Sequence, residues 1–384
     1  MPTGNMAPVE SRGRARGALY GLAIGDALGM PTQLLTRAEV TGRWGPRLAG
    51  FEPAPPGHPL ADGMPAGSVT DDTEQAVLLA RLLISGHGEI DPQEWASALV
   101  DWERDMAARG SLDLLGPSTK RAVAALLAGA APEEAGLGGT TNGAAMRVTP
   151  VGIAFPLGYA ISDSATSDSS ISDSSMEVLL AHVRQASLIT HNTPVAMAGA
   201  AAIAAAVSAG VDGAQVPAAI EYAIAAARLV DAQLADRIGQ TAAASQSVGL
   251  AAGRRSDAAV QSGGAVPFGT DIAARITWAA AEARSRSAES VIDFIAGQVG
   301  TSLSTVESVP AAFAVLAAVP DDPWQACLLA ASLGGDSDTI AAMAGAVAGA
   351  CHGVSAFPAP AIATIDAHGL DLARLADSLC GLRG

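Results

Sequence analysis

The sequence predicts an all-α fold, and three observations carry that prediction. Apolar residues make up 49% of the chain, whereas aromatic residues make up 4%. Alanine and other good helix formers dominate, and long β-branched or aromatic runs are few. Small residues recur at every fourth position in two apolar stretches, a spacing that puts them on one stripe of a helix. The chain has 384 residues, enough for a sizeable core, and no linker separates two cores. The expectation is a single compact domain of a dozen or more helices over residues 16–384, preceded by a flexible N-terminus, 1–15.

In chain order, the first helix pattern is "GALYGLAIGDALG", with Gly17, Gly21, Gly25 and Gly29 on one face. Each glycine costs about 1 kcal/mol against alanine inside a helix, so four in register imply that another backbone packs very close. A Pro/Gly-rich loop, Phe51 to Gly67, leads into "TDDTEQAVLLARLL", an apolar helix entered through acidic residues. Helix patterns follow at 92–108, 118–127, 176–189, 194–209, 216–229 and 231–251. Between them, "ISDSATSDSSISDSS" is polar, acidic and of low complexity, and residues 160–176 read as a disordered insertion. After the loop "SGGAVPFG", helices resume at 271–284, 288–298, 308–318, 323–333, 339–352 and 358–367.

Charge and cysteines bound the function class. The net charge is −16, with 38 acidic against 22 basic residues and no basic patch, which argues against nucleic acid as a partner. The odd set Cys327, Cys351 and Cys380 contains no CxxC and reads as buried free thiols of a reducing compartment. The N-terminus lacks the apolar core of a signal peptide. The apolar stretch Val195 to Val207 is shorter than the ~20 residues that span a bilayer. The expectation is a cytoplasmic protein with no membrane partner.

Two acidic clusters carry the chemistry. The first is Thr70, Asp71, Asp72 and Thr73; the second is "GGDSDT", in which Asp336, Asp338 and Thr339 follow a two-glycine turn. Both sit at the start of an almost wholly apolar helix. Asp and Thr cap helices well, because their oxygens accept from free N–H groups at the positive end of the dipole. A cap uses one carboxylate, however, and each cluster supplies two. Like charges in such apolar surroundings must either take up protons or share a cation. A set of Asp and Thr oxygens without His or Cys suits Mg²⁺ or Mn²⁺ rather than Zn²⁺. If the two helix starts converge, their four carboxylates and hydroxyls can hold two cations.

With these motifs the chain resembles the ADP-ribosylglycohydrolase family. The matching stretches are "GALYGLAIGDALGMP", "TDDT", "TNGAAMRVTPVG", "ITHNTPVAMAG" and "LGGDSDTIAAMAGAVAGACHG", in family order. The resemblance implies an orthogonal multi-helix domain with a dinuclear Mg²⁺ or Mn²⁺ centre. It assigns Thr70, Asp71 and Asp72 to one side of that centre and Asp336, Asp338 and Thr339 to the other. It also implies cleavage of a bond between ribose C1″ and an acceptor. Gly139, Thr140, Thr141, Asn142 and Gly143 would line the substrate pocket, with His191 as part of its wall. Many family members carry a Glu after "GDALG", where this chain has Gln33. An amide orients water but takes no proton, which leaves an aspartate of the metal set or Glu74 as the base. Asp72, Asp338 and Gln33 are therefore the candidate catalytic residues.

The remaining polar residues have open readings. Asp26 either supports a metal ligand or faces solvent. Arg147 binds a phosphate or pairs locally, and Glu307 supports the site or caps the next helix. His352 suits the negative end of its helix, and no role falls to His58 or His87. The expected activity is that of a binuclear Mg²⁺-dependent glycohydrolase acting on ADP-ribosylated protein or a ribosylated small molecule. The alternatives are a hydrolase of smaller ribosides and a non-catalytic ADP-ribose-binding protein.

Overall fold

The structure, a computed structural model, describes residues 9–108, 116–158, 173–246 and 268–383. Among these residues there are 18 α-helices and no strand. The serine-rich stretch 161–172 and most of the "SGGAVPFG" loop lie outside the described residues.

Two helices form the axis of the fold, Val9–Gly29 and Ser337–His352. They run antiparallel, because successive small residues of one meet the other in reverse order. A methyl group added at Gly21 would lie 2.0 Å from the Gly345 carbonyl oxygen, and one at Gly25 would lie 2.0 Å from that of Ala341. At Gly29 it would lie 2.4 Å from the Cα of Asp338. The two small-residue stripes therefore face each other, and backbone touches backbone along the whole crossing. The consequence is positional: the end of the first helix and the acidic start of the other are side by side.

The turn after the first helix locks that arrangement. Thr32 Oγ1 donates to the Ala331 carbonyl at 2.6 Å and lies 2.8 Å from Ser337 Oγ. Leu34 N donates to Gly335 O at 2.6 Å, and Gly335 N returns a bond to Leu35 O at 2.8 Å. Gly334 and Gly335 have φ of +73° and +67°, a left-handed pair that glycine adopts without a Cβ penalty.

The centre of the core is the helix Pro194–Val211, whose residues from Ala198 to Val211 are all buried. Its 18 residues are long and apolar enough to cross a membrane, so the shorter stretch seen in the sequence understates it. In this fold 83% of it is buried inside the protein, and it serves as a core helix. Alanine dominates the buried set, which lets helix axes approach closely at interior packing density. All three cysteines are free and buried.

Several boundaries differ from expectation. The first helix starts at Val9, inside the stretch expected to be a loose N-terminus. One continuous helix, Val216–Gln246, replaces the two patterns split at residue 230. The helix expected to follow the polar insertion begins at Asp173, within the 160–176 segment. Short helices such as Arg37–Trp44, Gly143–Arg147 and Thr149–Ala154 went unseen, because a period cannot be read from one or two turns.

Candidate active site

Local physics explains why the first acidic cluster is free of capping duty. The helix Asp71–Ser85 has Thr70 at its N-cap, and no side chain of the cluster caps it. The cap comes from the first helix instead. Asp26, fully buried, accepts from Thr70 N at 2.8 Å and from Thr73 N at 3.2 Å. It also accepts from the hydroxyls of Thr70 at 2.7 Å and Thr73 at 2.5 Å. Of the two readings for Asp26, solvent exposure is thus excluded. Burial raises its pKa to about 6, and the four donors act against that rise.

The two clusters meet. Thr339 Oγ1 donates to Asp72 Oδ2 at 3.2 Å, across 267 positions of sequence. Asp71, Asp72 and Asp338 are buried, and Asp336 is half-buried. Burial pushes the carboxyl pKa values of Asp71, Asp72 and Asp338 well above the ordinary range, and the charges of Asp26 and the other cluster raise them further. Asp336 is raised by burial, with its hydrogen bond from Asn142 acting the other way. Asp72 Oδ1 and Asp338 Oδ1 are buried without a hydrogen-bond partner.

These groups open onto a cavity of about 200 Å³ lined by Asp71, Asp336, Asp338, Thr339 and Gln33, with Thr141, Asn142 and Gly143 on its other side. Thr70 and Asp72 sit just behind that lining. Asn142 Nδ2 donates to Asp336 Oδ2 at 2.5 Å and to Ser308 Oγ at 2.9 Å, so it ties the pocket loop to the second cluster. Gly139 and Thr140 lie outside the cavity lining. A methyl at Gly139 would meet the Thr190 carbonyl oxygen at 2.2 Å, and the Thr140 carbonyl accepts from Thr305 Oγ1 at 2.9 Å. Their role is to seat the loop on its neighbours. His191 is fully buried and lies behind the cavity wall, with its Nε2 2.9 Å from Thr141 Oγ1 and its ring against Gly143.

Gln33 is 5% exposed and its amide nitrogen has no partner. Its backbone is pinned by His58, which received no role from the sequence. His58 Nδ1 accepts from Leu60 N at 3.2 Å and Ala61 N at 2.9 Å, which leaves Nε2–H to donate to Gln33 O at 2.8 Å. The next residue, Leu34, holds a left-handed φ of +59° at the cavity edge, a conformation that costs a branched side chain about 1–2 kcal/mol. Glu74 lies outside the cavity lining and accepts from the Trp102 indole at 2.7 Å, so it is not positioned as a base.

Supports from distant sequence complete the site. Asp336 N donates to Thr301 O at 2.7 Å, and Asn142 N donates to Leu303 O at 3.0 Å. The segment 301–304 thus braces both walls. Glu307 holds it by accepting from Ser302 N at 3.0 Å, which favours the supporting role for Glu307. Gln75 Nε2 donates to Asp71 Oδ2 at 3.2 Å, and Gln75 Oε1 accepts from Arg147 at 2.8 Å. Arg147 is fully buried and outside the cavity lining, and it pairs with residues remote in sequence rather than with its neighbours. The sequence signal for Gln75 was its place one helix turn after Asp71. His352 Nε2–H donates to Pro320 O at 2.8 Å, remote from the cavity.

The residues fit a hard divalent cation in their chemistry. They offer carboxylate and hydroxyl oxygens, two of them buried and unpartnered. They are not closed into a ready cage: among the described residues no three Asp, Glu, His or Cys side chains already form a metal-binding group.

Comparison with known proteins agrees with this architecture. The chain is 34% identical over 371 residues to YegU of Escherichia coli strain K12, an uncharacterized protein, covering 96% of this chain and 97% of that one. A shorter match, 34% over 125 residues, joins it to the ADP-ribosylarginine hydrolase Tri1 of Pseudomonas putida, covering 31% of this chain and 29% of that one. A solved structure described as an ADP-ribosylglycohydrolase-related protein complex superposes with a TM-score of 0.64 at 23% identity, covering 98% of this chain and 99% of that one, and so shares the fold. The sequence model of the family named ADP-ribosylglycohydrolase matches residues 7–384. With the helix order, the paired acidic helix starts and this match over nearly the full length, the chain belongs to the ADP-ribosylglycohydrolase family.

Proposed function

We propose that the protein is a divalent-metal-dependent glycohydrolase that cleaves the bond between ribose C1″ and an acceptor on an ADP-ribosylated protein or small molecule. One observation carries the reading: Asp71, Asp336 and Asp338, from opposite parts of the chain, line one small cavity with Asp72 buried behind them, and no basic side chain neutralises them within its described lining. Such a group is costly unless a cation completes it. Thr70, Asp71 and Asp72 would hold one side of a pair of Mg²⁺ or Mn²⁺ ions, and Asp336, Asp338 and Thr339 the other. When bound, the cations would supply Lewis acidity and a template for the ribose hydroxyls and a water.

The protein's own residues divide the remaining work. Asp26 fixes the Thr70 to Thr73 turn, and Asn142 fixes Asp336, so the two walls keep their spacing. Gln33 presents an unpartnered N–H to the cavity, which orients an oxygen and takes no proton. The attacking water's proton therefore passes to an aspartate, and Asp338, which lines the cavity and has an unpartnered carboxylate oxygen, is the one placed to take it. A family relative bears the name ADP-ribosylarginine hydrolase, so ADP-ribosylated arginine is the first substrate to assay.

The test is release of ADP-ribose from that substrate with Mg²⁺, repeated after EDTA treatment and with Asp338→Asn. The reading expects release that depends on the cation and falls by at least ~10²-fold in the variant. Undiminished release in chelator would refute it. Turnover of phosphate-free ribosides in preference to ADP-ribosyl substrates would keep the chemistry and replace the substrate. Tight ADP-ribose binding without turnover at any Mg²⁺ or Mn²⁺ concentration would identify a binding protein.

A further inference from the structure

Arg147 is buried completely in the core, and nothing in the reaction described above calls for it. It stacks over Trp95, 5.2 Å from guanidinium carbon to ring centroid, and the Trp95 indole is itself anchored to Ala186 O at 3.0 Å. Burial lowers the Arg147 pKa to about 10, so it remains a cation at neutral pH. A guanidinium has donors and no acceptor. Every hydrogen bond it makes therefore has a fixed direction, and the direction propagates.

One branch runs from Arg147 to Thr190 Oγ1. Having accepted that bond, the Thr190 hydroxyl turns its own proton to His191 Nδ1, 2.7 Å away. Thr190 is 1% exposed, so water does not compete for that proton. With Nδ1 accepting, the neutral ring carries its proton on Nε2, which donates to Thr141 Oγ1 at 2.9 Å. Burial and the charge of Arg147 both hold the His191 pKa well below its usual value, which keeps the ring neutral. Gly143 leaves the ring no slack, because a methyl there would lie 2.7 Å from its Cε1. Thr141 is pinned in turn by an antiparallel bridge to Ser304. Its hydroxyl has one proton left to give and lines the cavity.

We propose that Arg147 and His191 are positioning residues of a one-way hydrogen-bond relay that makes the Thr141 hydroxyl an obligatory donor to an acceptor oxygen of the bound sugar substrate. The other branch from Arg147, through Gln75 to Asp71, makes the same cation orient a carboxylate of the opposite wall. The identity of the ligand rests on the function proposed above; the direction of the relay does not.

Nitrogen-15 NMR of histidine-labelled full-length protein at pH 7 reads the relay directly, with the His191 signals assigned by their loss in His191→Gln. The expected result is an unprotonated Nδ1 and a protonated Nε2. A ring protonated on Nδ1, or a doubly protonated ring, overturns the proposal without reference to any substrate. For the donor, ADP-ribose affinity is measured in Mn²⁺ for the wild type, Thr141→Ser and Thr141→Val. Loss of one neutral hydrogen bond predicts binding weaker by roughly 2- to 12-fold in Thr141→Val, restored in Thr141→Ser, with Mn²⁺ affinity unchanged in both. Equal affinity in all three overturns the donor role. A wild type that does not bind ADP-ribose counts against the substrate class, and the His191 tautomer still decides the relay.

Discussion

Replacing Gly21 by alanine should unfold the protein at lower denaturant, whereas the same change eight positions earlier, at Gly13, should do the opposite. Both glycines lie in the Val9–Gly29 helix, so both substitutions gain helix propensity and lose unfolded-chain entropy, together ~1 kcal/mol of stabilisation. At Gly13 nothing lies within 4 Å of the added methyl, and the gain stands alone. At Gly21 the methyl would arrive 2.0 Å from the Gly345 carbonyl oxygen and 2.7 Å from its carbon. Relief to ordinary contact requires the two backbones to part by more than ~1 Å, and neither can rotate away as a side chain would. Overpacking of that kind costs ~1–3 kcal/mol, and separation of the crossing also forfeits dispersion along its length. A 2.0 Å contact calls for the upper part of that range, so after the ~1 kcal/mol gain is subtracted the expected net effect is a loss of ~1–2 kcal/mol for Gly21→Ala, against a gain of ~0.5–1 kcal/mol for Gly13→Ala. Urea denaturation followed by circular dichroism measures both, with unchanged slopes as the check on a common mechanism. A Gly21→Ala protein as stable as the wild type would refute the claim that backbone contact at this crossing sets the helix spacing.

Other outcomes follow from the same geometry. Three of the four donors converge on Asp26 Oδ2 and only the Thr70 hydroxyl on Oδ1, so Asp26→Asn in its better orientation leaves that one donor facing an amide NH₂ and stability should fall by ~1–3 kcal/mol in urea denaturation; an unchanged midpoint would contradict the capping role. Gly29→Ala puts a methyl 2.4 Å from Asp338 Cα, and Mn²⁺ affinity should drop more than stability does; parallel losses would place the damage in the fold alone. His58 has its pKa lowered by burial, so its folded ring stays neutral while the unfolded ring takes a proton near pH 6.5. Its share of stability is complete above that pH and drains as pH falls below it. The stability gap between wild type and His58→Gln should therefore be constant from about pH 8 to 7 and narrow below about 6.5; a gap that widens in acid would reverse the assignment.

Much of this was legible because two spacings are physically unambiguous. Glycine at 17, 21, 25 and 29 can only be a close-contact stripe in a helix, and the second stripe after Asp338 called for a partner of the same kind. The structure joins the two stripes, and that joining carries Gly29 to Asp338. Doubled carboxylates at apolar helix starts were likewise readable as more than caps, but their meeting was not, since 267 positions separate Asp72 from Thr339. The supporting residues were hidden for the same reason. Asp26, His58, Arg147 and the 301–304 brace act through contacts between remote segments, and a buried arginine looks like any arginine in a sequence. Gly139 and Thr140 show the converse: a glycine-rich run suggests a ligand loop, yet part of it exists to let that loop lie against the Thr190 backbone.

The central claim is that the two acidic helix starts form one divalent-cation site. Anomalous diffraction at the manganese edge from crystals soaked in Mn²⁺ tests it most directly. The account predicts anomalous density in contact with both Asp72 and Asp338, and its loss in crystals of Asp338→Asn. Crystals saturated with Mn²⁺ whose only density lies away from both aspartates would contradict it.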